Sequence, residues 1–361
     1  MAIEKYDNEI NPKEFTYISN NFDMQNQAAS AIKGDWVLAL VELCTNVDDS
    51  VSRFNESANS SNKKKNSALI TIDSSQRTLT ISDRAEGMSK EDLDNKIVHK
   101  GEQTSGILDG LNVRGGLGRG AKDISNLGAV TWESVKDGMY STLHIKEDFM
   151  INPDDFFERP VKTSDLENMN LKSGQNGTKT TIKISKPPFR TFQKLYEQLS
   201  KDYALRDIFS DPSADYKLQD KKAKPKKISY TPPKQQKRYE EEGTIPGYSE
   251  ATYTLEINKL DEPDTELRDR TAPSGILIVG RKTIYEKKHF KNAIHSNKIS
   301  GRLTIPYLDE LIKEVGEDQK NGISSNTKNP SLIINTDRTL NKEHPFYQAL
   351  EKEISPQYQV V

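Results

Sequence analysis

The chain has 361 residues, of which 33% are hydrophobic and 29% charged, with a formal net charge of -2. That length predicts two domains, and the near-neutral balance excludes a global pull towards nucleic acid or anionic lipid, so such a partner needs a local patch. A single cysteine, Cys44, excludes an internal disulfide, and the polar start "MAIEKYDNEINPKEF" lacks the apolar centre of a secretory signal. No stretch approaches the roughly 20 apolar residues of a spanning helix. The expectation is a soluble, cytoplasmic protein with no membrane partner.

Residues 24–57 read as helical, with a break at Gly34 and Asp35 as the cap of a long helix. In that helix the apolar run "WVLALV" is followed by "ELCTNVDDS", residues 42–50. Glu42, Asn46 and Asp49 then stand at i, i+4 and i+7, on one face of a helix whose other faces are apolar. A Ser/Asn/Lys loop leads to "ALITID" and "RTLTIS", β-branched or alternating runs joined by "SSQ" as a hairpin. Ser89 with Asp92 three residues on is a capping-box pattern. Next comes "HKGEQTSGILDGLNVRGGLGRGAKDIS", with seven glycines between 101 and 120, and then β-like runs around 128–136, 139–146 and 177–184.

Further on, "FRTFQKLYEQLSKDYALRDIF" has helical spacing, whereas "KKAKPKKISYTPPKQQKRYEEEG" reads as a charged, proline-containing loop or interdomain excursion. From about 246, "ATYTLEI", "SGILIVG" and "SLIINT" predict strands, and "YLDELIKEV" and "FYQALEKEI" predict helices. The expected layout is a domain over 1–190, a helix plus charged linker or insertion over 191–245, and a second domain over 246–361.

Four stretches carry candidate chemistry. On the helix, a carboxylate such as Glu42 can act as a general base towards a held water. One turn on, the Asn46 carbonyl oxygen suits a magnesium ion that keeps its waters and phosphates. In "ISDRAEGMS" Asp83 ends a β run and Gly87 follows four residues later, beside Met88; a buried carboxylate accepting from an exocyclic amine selects a base. In "RGGLGRGAKD" the glycines let backbone N–H groups converge on an anion, but the spacing of a Walker loop is missing and no Rossmann unit surrounds it. In "NGTKTTIKI" Gly177 and Thr178 open a strand. Taken alone, each has an ordinary alternative: a solvated helix face, an Asp/Gly turn, a mobile linker, a turn into an edge strand.

Their order is what carries the reading. E-x3-N-x2-D on a helix, then D-x3-G-M, a glycine-rich segment and G-T before a strand resembles the GHKL ATPases, among them gyrase-type topoisomerases, MutL, the large heat-shock chaperones, histidine kinases and the MORC proteins. The resemblance spans residues 36 to 184. It implies an α+β Bergerat fold, a two-layer α/β sandwich with a mixed sheet and helices on one face, followed by a smaller α/β transducer-like domain. It further implies ATP and Mg2+ as cofactors. Glu42 would be the general base, Asn46 the magnesium ligand, and Asp49 a support of the same pocket. Asp83 would read adenine with Gly87 and Met88 beside it, and Thr178 would share a water with Asp83. Gly116, Gly118, Gly120 and Lys122 would form the lid over the phosphates. The chain departs from the family's D-x-G-x-G at Ala85, which occupies the first glycine's place.

Only about 30 residues precede the motif helix, too few for the phosphoacceptor helices of a histidine kinase. A transducer domain of the MutL, chaperone or MORC kind sends a basic residue back to the terminal phosphate, and Arg338 and Lys342 in "NTDRTLNKEHPF" are the candidates. The expected function is an ATP-hydrolysing conformational switch that forms a homodimer on ATP binding. DNA remodelling, phage defence and chaperoning are consistent with it, with nucleic acid or a protein as client. The alternative is a nucleotide-sensing module with negligible turnover. The five histidines never reach metal-ligand spacing with acids or cysteine, and Cys44 reads as a packed residue.

Overall fold

A computed structural model describes residues 32, 34–57, 63–98, 114, 123–185, 188–221, 223–265, 269–289, 296–321, 326–335 and 339–359. The chain is α+β, with an eight-stranded and a five-stranded mixed sheet. Among the described residues no helix is long and apolar enough to cross a membrane.

Helix α1 (Trp36–Ser57) begins where expected: Asp35 Oδ1 accepts from the Val37 N–H at 2.9 Å, a capping contact. Of the stretch 24–33 that reads as helical, only Ile32 lies among the described residues. Trp36, Leu40, Leu43, Cys44, Val47 and Val51 of α1 are buried in one core with the inward side chains of the first sheet. The hairpin forms from β1 (Ser67–Asp73) and β2 (Thr78–Asp83), antiparallel, with Arg77 in the left-handed region at its turn. Ser89 and Asp92 make the capping box of the short helix α2 (Lys90–Leu93).

Strands β3 (Gly128–Lys136), β4 (Met139–Ile145) and β6 (Gly177–Ile184) match the expected runs; between the last two lie β5 (Ile151–Pro160) and helix α3 (Thr163–Met169). Two helices follow, α4 (Phe192–Lys201) and α5 (Arg206–Ser210), and then β7 (Asp215–Asp220) and β8 (Lys226–Lys227). The sheet order is β5-β4-β3-β6-β2-β1-β7-β8, with β7 parallel to β1. Leu195, Leu199, Leu205, Ile208, Phe209, Tyr216, Leu218 and Ile228 share the core of α1. The opposite face carries polar pairs, such as Thr80 with Thr181 and Gln219 with Thr71, and at one end a small cluster in which Val135 and Tyr140 are buried with Met169 of α3.

Residues 191–245 therefore differ from the expected linker. Up to Ile228 they complete the first domain, and β9 (Gln235–Thr244) already belongs to the second. The charges that suggested a loop fall on an edge strand whose side chains alternate between exposed and half-buried.

The second sheet has the order β12-β11-β13-β10-β9, built with β10 (Thr252–Leu260), β11 (Gly275–Val279), β12 (Ile284–Lys288) and β13 (Ile299–Thr304). Helices α6 (Tyr307–Asn321) and α7 (Pro345–Ile354) bury Leu308, Leu311, Ile312, Phe346 and Leu350 against it. The expected strand "SLIINT" makes only an isolated bridge, Ile334 to Leu340. Its neighbours Ile333 and Asn335 bond locally to Asn341 and Thr339, so no long partner strand is needed.

Arginine–carboxylate pairs join the two halves. Arg270 grips Asp202, which is 0% exposed, at 2.8 and 3.0 Å, and Arg302 of β13 grips Asp207 of α5 with two contacts of 2.9 Å. Removing the cation strands a buried carboxylate. Arg270→Ala is expected to cost about 3–5 kcal/mol in urea denaturation, and a loss below about 1 kcal/mol, the range of a surface pair, would remove the pair from the interface energetics.

Candidate functional site

The site begins with side-chain alternation. One inward row crosses the first sheet as Leu79, Ile182 and Val130, and the next as Ile81, Thr180 and Trp132. At a period of two the third row is Asp83, Thr178 and Ser134, with Thr178 paired to Ser134 in register. The rows thus pass from apolar to polar at one end of three neighbouring strands. There Ser134 Oγ lies 3.1 Å from Thr178 Oγ1 and 3.2 Å from the Gly177 carbonyl oxygen.

Asp83 is half-buried and accepts backbone N–H bonds from Ala85, at 2.8 Å, and from Thr178. Burial pushes its carboxyl up to about 6, against those hydrogen bonds and the nearby Lys64 charge. An ionised carboxylate offers about four lone-pair positions, so two backbone donors leave room for a further donor such as an exocyclic amine. Ala85 fits in place of a glycine, because it is fully buried in the core and needs no left-handed backbone. Lys64 Nζ donates to the Ala85 carbonyl at 2.5 Å and stands 4.3 Å from the centre of the Phe54 ring; burial lowers its pKa.

Gly87 has φ +74, and a Cβ there would come within 2.1 Å of the Val135 carbonyl oxygen on β3. The glycine is required by the approach of its own loop to β3, and that open direction faces backbone. Met88 N–H donates to Ser134 Oγ at 2.6 Å, which ties the loop to the polar row. Gly177 is close-packed as well: a Cβ would meet the Asp83 carbonyl oxygen at 2.5 Å.

The same loop rests on α1. Arg53 pairs with Glu86 at 2.7 Å, and the Glu86 N–H donates to Ser50 Oγ at 3.4 Å. Glu42 and Asn46 are half-buried and Asp49 is buried, all on the one helix. Eight residues separate Glu42 from Ser50, about 12 Å of helix at 1.5 Å rise. The structure thus brings Asp83, Gly87, Met88 and Thr178 together and sets the Glu42–Asn46–Asp49 helix beside them, with Glu42 well removed from the Asp83 loop.

Gly116, Gly118, Gly120, Lys122 and Arg338 lie outside the described residues. Arg114, which opens the glycine-rich stretch, is described: its N–H donates to Asp49 Oδ1 at 2.6 Å and its Nε to Asp48 Oδ2 at 2.7 Å. Lys342 sits by Glu286 of β12, in the second domain. Lys282 of the second domain reaches α1, where its Nζ donates to Ser52 Oγ at 3.3 Å. Sequence reasoning passed over Ser134, Lys64, Arg114 and Lys282. Only the period-two pattern Val130, Trp132, Ser134 could have pointed to the first, and no local signal marks the others.

Among the described residues no group of three or more His, Cys, Asp or Glu can hold a metal ion. The donor set fits magnesium better than zinc, since magnesium takes one or two protein oxygens and keeps its waters and phosphates. The sequence matches no family model and no curated protein.

The raised carboxyl of Asp83 has a stability consequence. Its folded value, about 6, lies above the ordinary 3.8, so its stabilising effect is complete below pH 4 and is lost as the pH rises through 6. Asp83→Asn is expected to be more stable than the parent by on the order of 1–3 kcal/mol at pH 7.5, with the difference vanishing towards pH 4. Urea denaturation at both pH values measures it, and a difference independent of pH would place Asp83 in open solvent.

Proposed function

We propose that the protein binds ATP in the row of Asp83, Thr178 and Ser134 and hydrolyses it at the Glu42 end of α1, as the resemblance to GHKL ATPases implies. The observation that carries this reading is a half-buried carboxylate with two backbone donors at the polar end of the sheet, on a loop that rests on the helix bearing Glu42, Asn46 and Asp49.

In this reading Asp83 accepts the amine of adenine, and a base lacking that donor leaves the acid unpaired. Asn46 would hold the magnesium ion, supported by Asp49, and the ion when bound offsets phosphate charge. Glu42 takes the proton of a water held against the terminal phosphate. A basic residue of the second domain, Arg338 or Lys342 by the same resemblance, would answer the charge of that phosphate. ATP binding then favours one arrangement of the two domains and the pairing of two copies, with nucleic acid or a protein as client.

Glu42→Ala is expected to lower steady-state phosphate release by about 100- to 10,000-fold, with ATP affinity changed less than about threefold. Equal turnover in mutant and parent would take Glu42 out of the chemistry. Binding without turnover in the parent itself would favour a nucleotide-sensing module.

Affinity should also follow the Asp83 proton. With the carboxyl at about 6, roughly one molecule in ten is ionised at pH 5 and nearly all are at pH 7.5, so ATP should bind about tenfold more weakly at pH 5. Calorimetric titration measures this. Asp83→Asn should flatten the profile, and a flat profile in the parent would detach Asp83 from the base.

A further inference from the structure

Arg114 is engaged through its backbone N–H, its carbonyl, its Nε and its Nη1 at once. Towards the first domain, its N–H holds Asp49 and its Nε holds Asp48, whose other oxygen accepts from Asn66 Nδ2 at 2.6 Å. Towards the second domain, its Nη1 donates to the Lys282 carbonyl at 2.8 Å, and its own carbonyl accepts from Thr283 Oγ1 at 2.9 Å. The same Nη1 lies 3.6 Å from Asp207 Oδ2, an oxygen that also accepts from Arg302 of β13. A chain of alternating charge, Asp48–Arg114–Asp207–Arg302, thus runs from α1 into the second sheet, and the Arg114 side chain is only 12% exposed.

The turn that meets Arg114 is stiff. Gly280 N–H donates to the Thr283 carbonyl at 2.9 Å, and Arg281 N–H to Asp309 Oδ2 at 2.8 Å. A Cβ on Gly280 would come within 2.1 Å of Asp309 Oδ1, so the carboxylate occupies the space that any side chain there would need. Asp309 is further held by the Tyr285 hydroxyl. A turn braced in this way moves with its domain, and moving it displaces both the carbonyl and the guanidinium of Arg114.

We infer that Arg114 is a positioning residue that couples the seating of the second domain to the acidic face of α1. Shifting the Gly280–Thr283 turn pulls on Asp48 and Asp49 through this one residue, so the two domains and the Asp49 end of the helix settle together. The clasp itself needs no ligand, whereas its effect on turnover rests on the ATP reading above. A lysine keeps the charge at this position, but a single ammonium cannot reach Asp48 and the Lys282 carbonyl as the guanidinium fork does.

Amide hydrogen exchange on the full chain tests the inference with Arg114→Lys, and with Thr283→Val as a second, milder variant. Without ligand, exchange in 280–283 and 299–304 should speed up at least tenfold in R114K and stay within twofold at 83–88. With a non-hydrolysable ATP analogue and magnesium, the parent should gain protection in both regions and R114K at 83–88 alone. In phosphate release R114K should lose about tenfold in kcat with KM within threefold, a split that general destabilisation does not give. Parent-like exchange at 280–283 in ligand-free R114K overturns the clasp, as does equal loosening at 83–88. An analogue that protects no part of the parent sinks the ATP reading, while the ligand-free comparison still decides the clasp. Should R114K fail to fold, T283V carries the same ligand-free test, with parent-like exchange at 280–283 overturning the inference.

Discussion

The packing of α1 on the first sheet is the constraint from which the rest follows. Trp36, Leu40, Leu43, Cys44, Val47 and Val51 are all buried in the same core. Fully burying a large apolar side chain contributes about 1.5–3 kcal/mol, so the helix has little freedom to rotate about its axis. With the apolar side fixed inward, a helical period of 3.6 leaves Glu42, Asn46 and Asp49 no choice of direction. The polar ends of β2, β6 and β3 then meet the second half of the same helix through Arg53 and Glu86.

Charge does a different job from the core. Asp202, Asp207 and Asp48 each sit where a lone carboxylate would be costly, and each is met by an arginine with defined geometry. Burial raises the pKa of Asp207, yet the Arg302 hydrogen bonds and the charges of Arg302 and Arg114 outweigh it and hold the group below its ordinary value. Such pairs add little net stability over apolar substitutes, but they strongly penalise misplaced partners. Between two domains that is a useful property, because one relative placement satisfies all of the charges.

Much of the first domain was legible from local pattern. The Asp35 cap, the hairpin, the Ser89–Asp92 box and strands β3, β4 and β6 all depend on neighbours within a few residues. The convergence of Asp83, Gly87 and Thr178 was legible as motif order, whereas the close approach of Gly87 to the Val135 carbonyl was not. Strands β7, β8 and β9 were not legible. They are polar, prolines flank β8 and precede β9, and β7 finds its partner β1 far back in the chain, while β8 and β9 pair with chain neighbours that carry no turn signature. Ser134 was hidden because one serine in a β run has no signature. Arg114 and Lys282 were hidden because their importance lies in each other, 168 residues apart.

The parallel pairing of β1 with β7 also sets an order of events during synthesis. Thr71 and Gln219 are neighbours in space but 148 residues apart in the chain. A nascent chain can fold its hairpin early, yet one edge of β1 stays bare until β7 has left the ribosome. At about 5–20 residues per second that interval lasts on the order of ten seconds. Throughout it, the strand "SALITID" presents unpaired backbone along an apolar run, the kind of edge that recruits other chains. The exposed lysines of β8, which becomes the edge once the sheet is complete, end that hazard. The period before they arrive is when this protein would most need a chaperone.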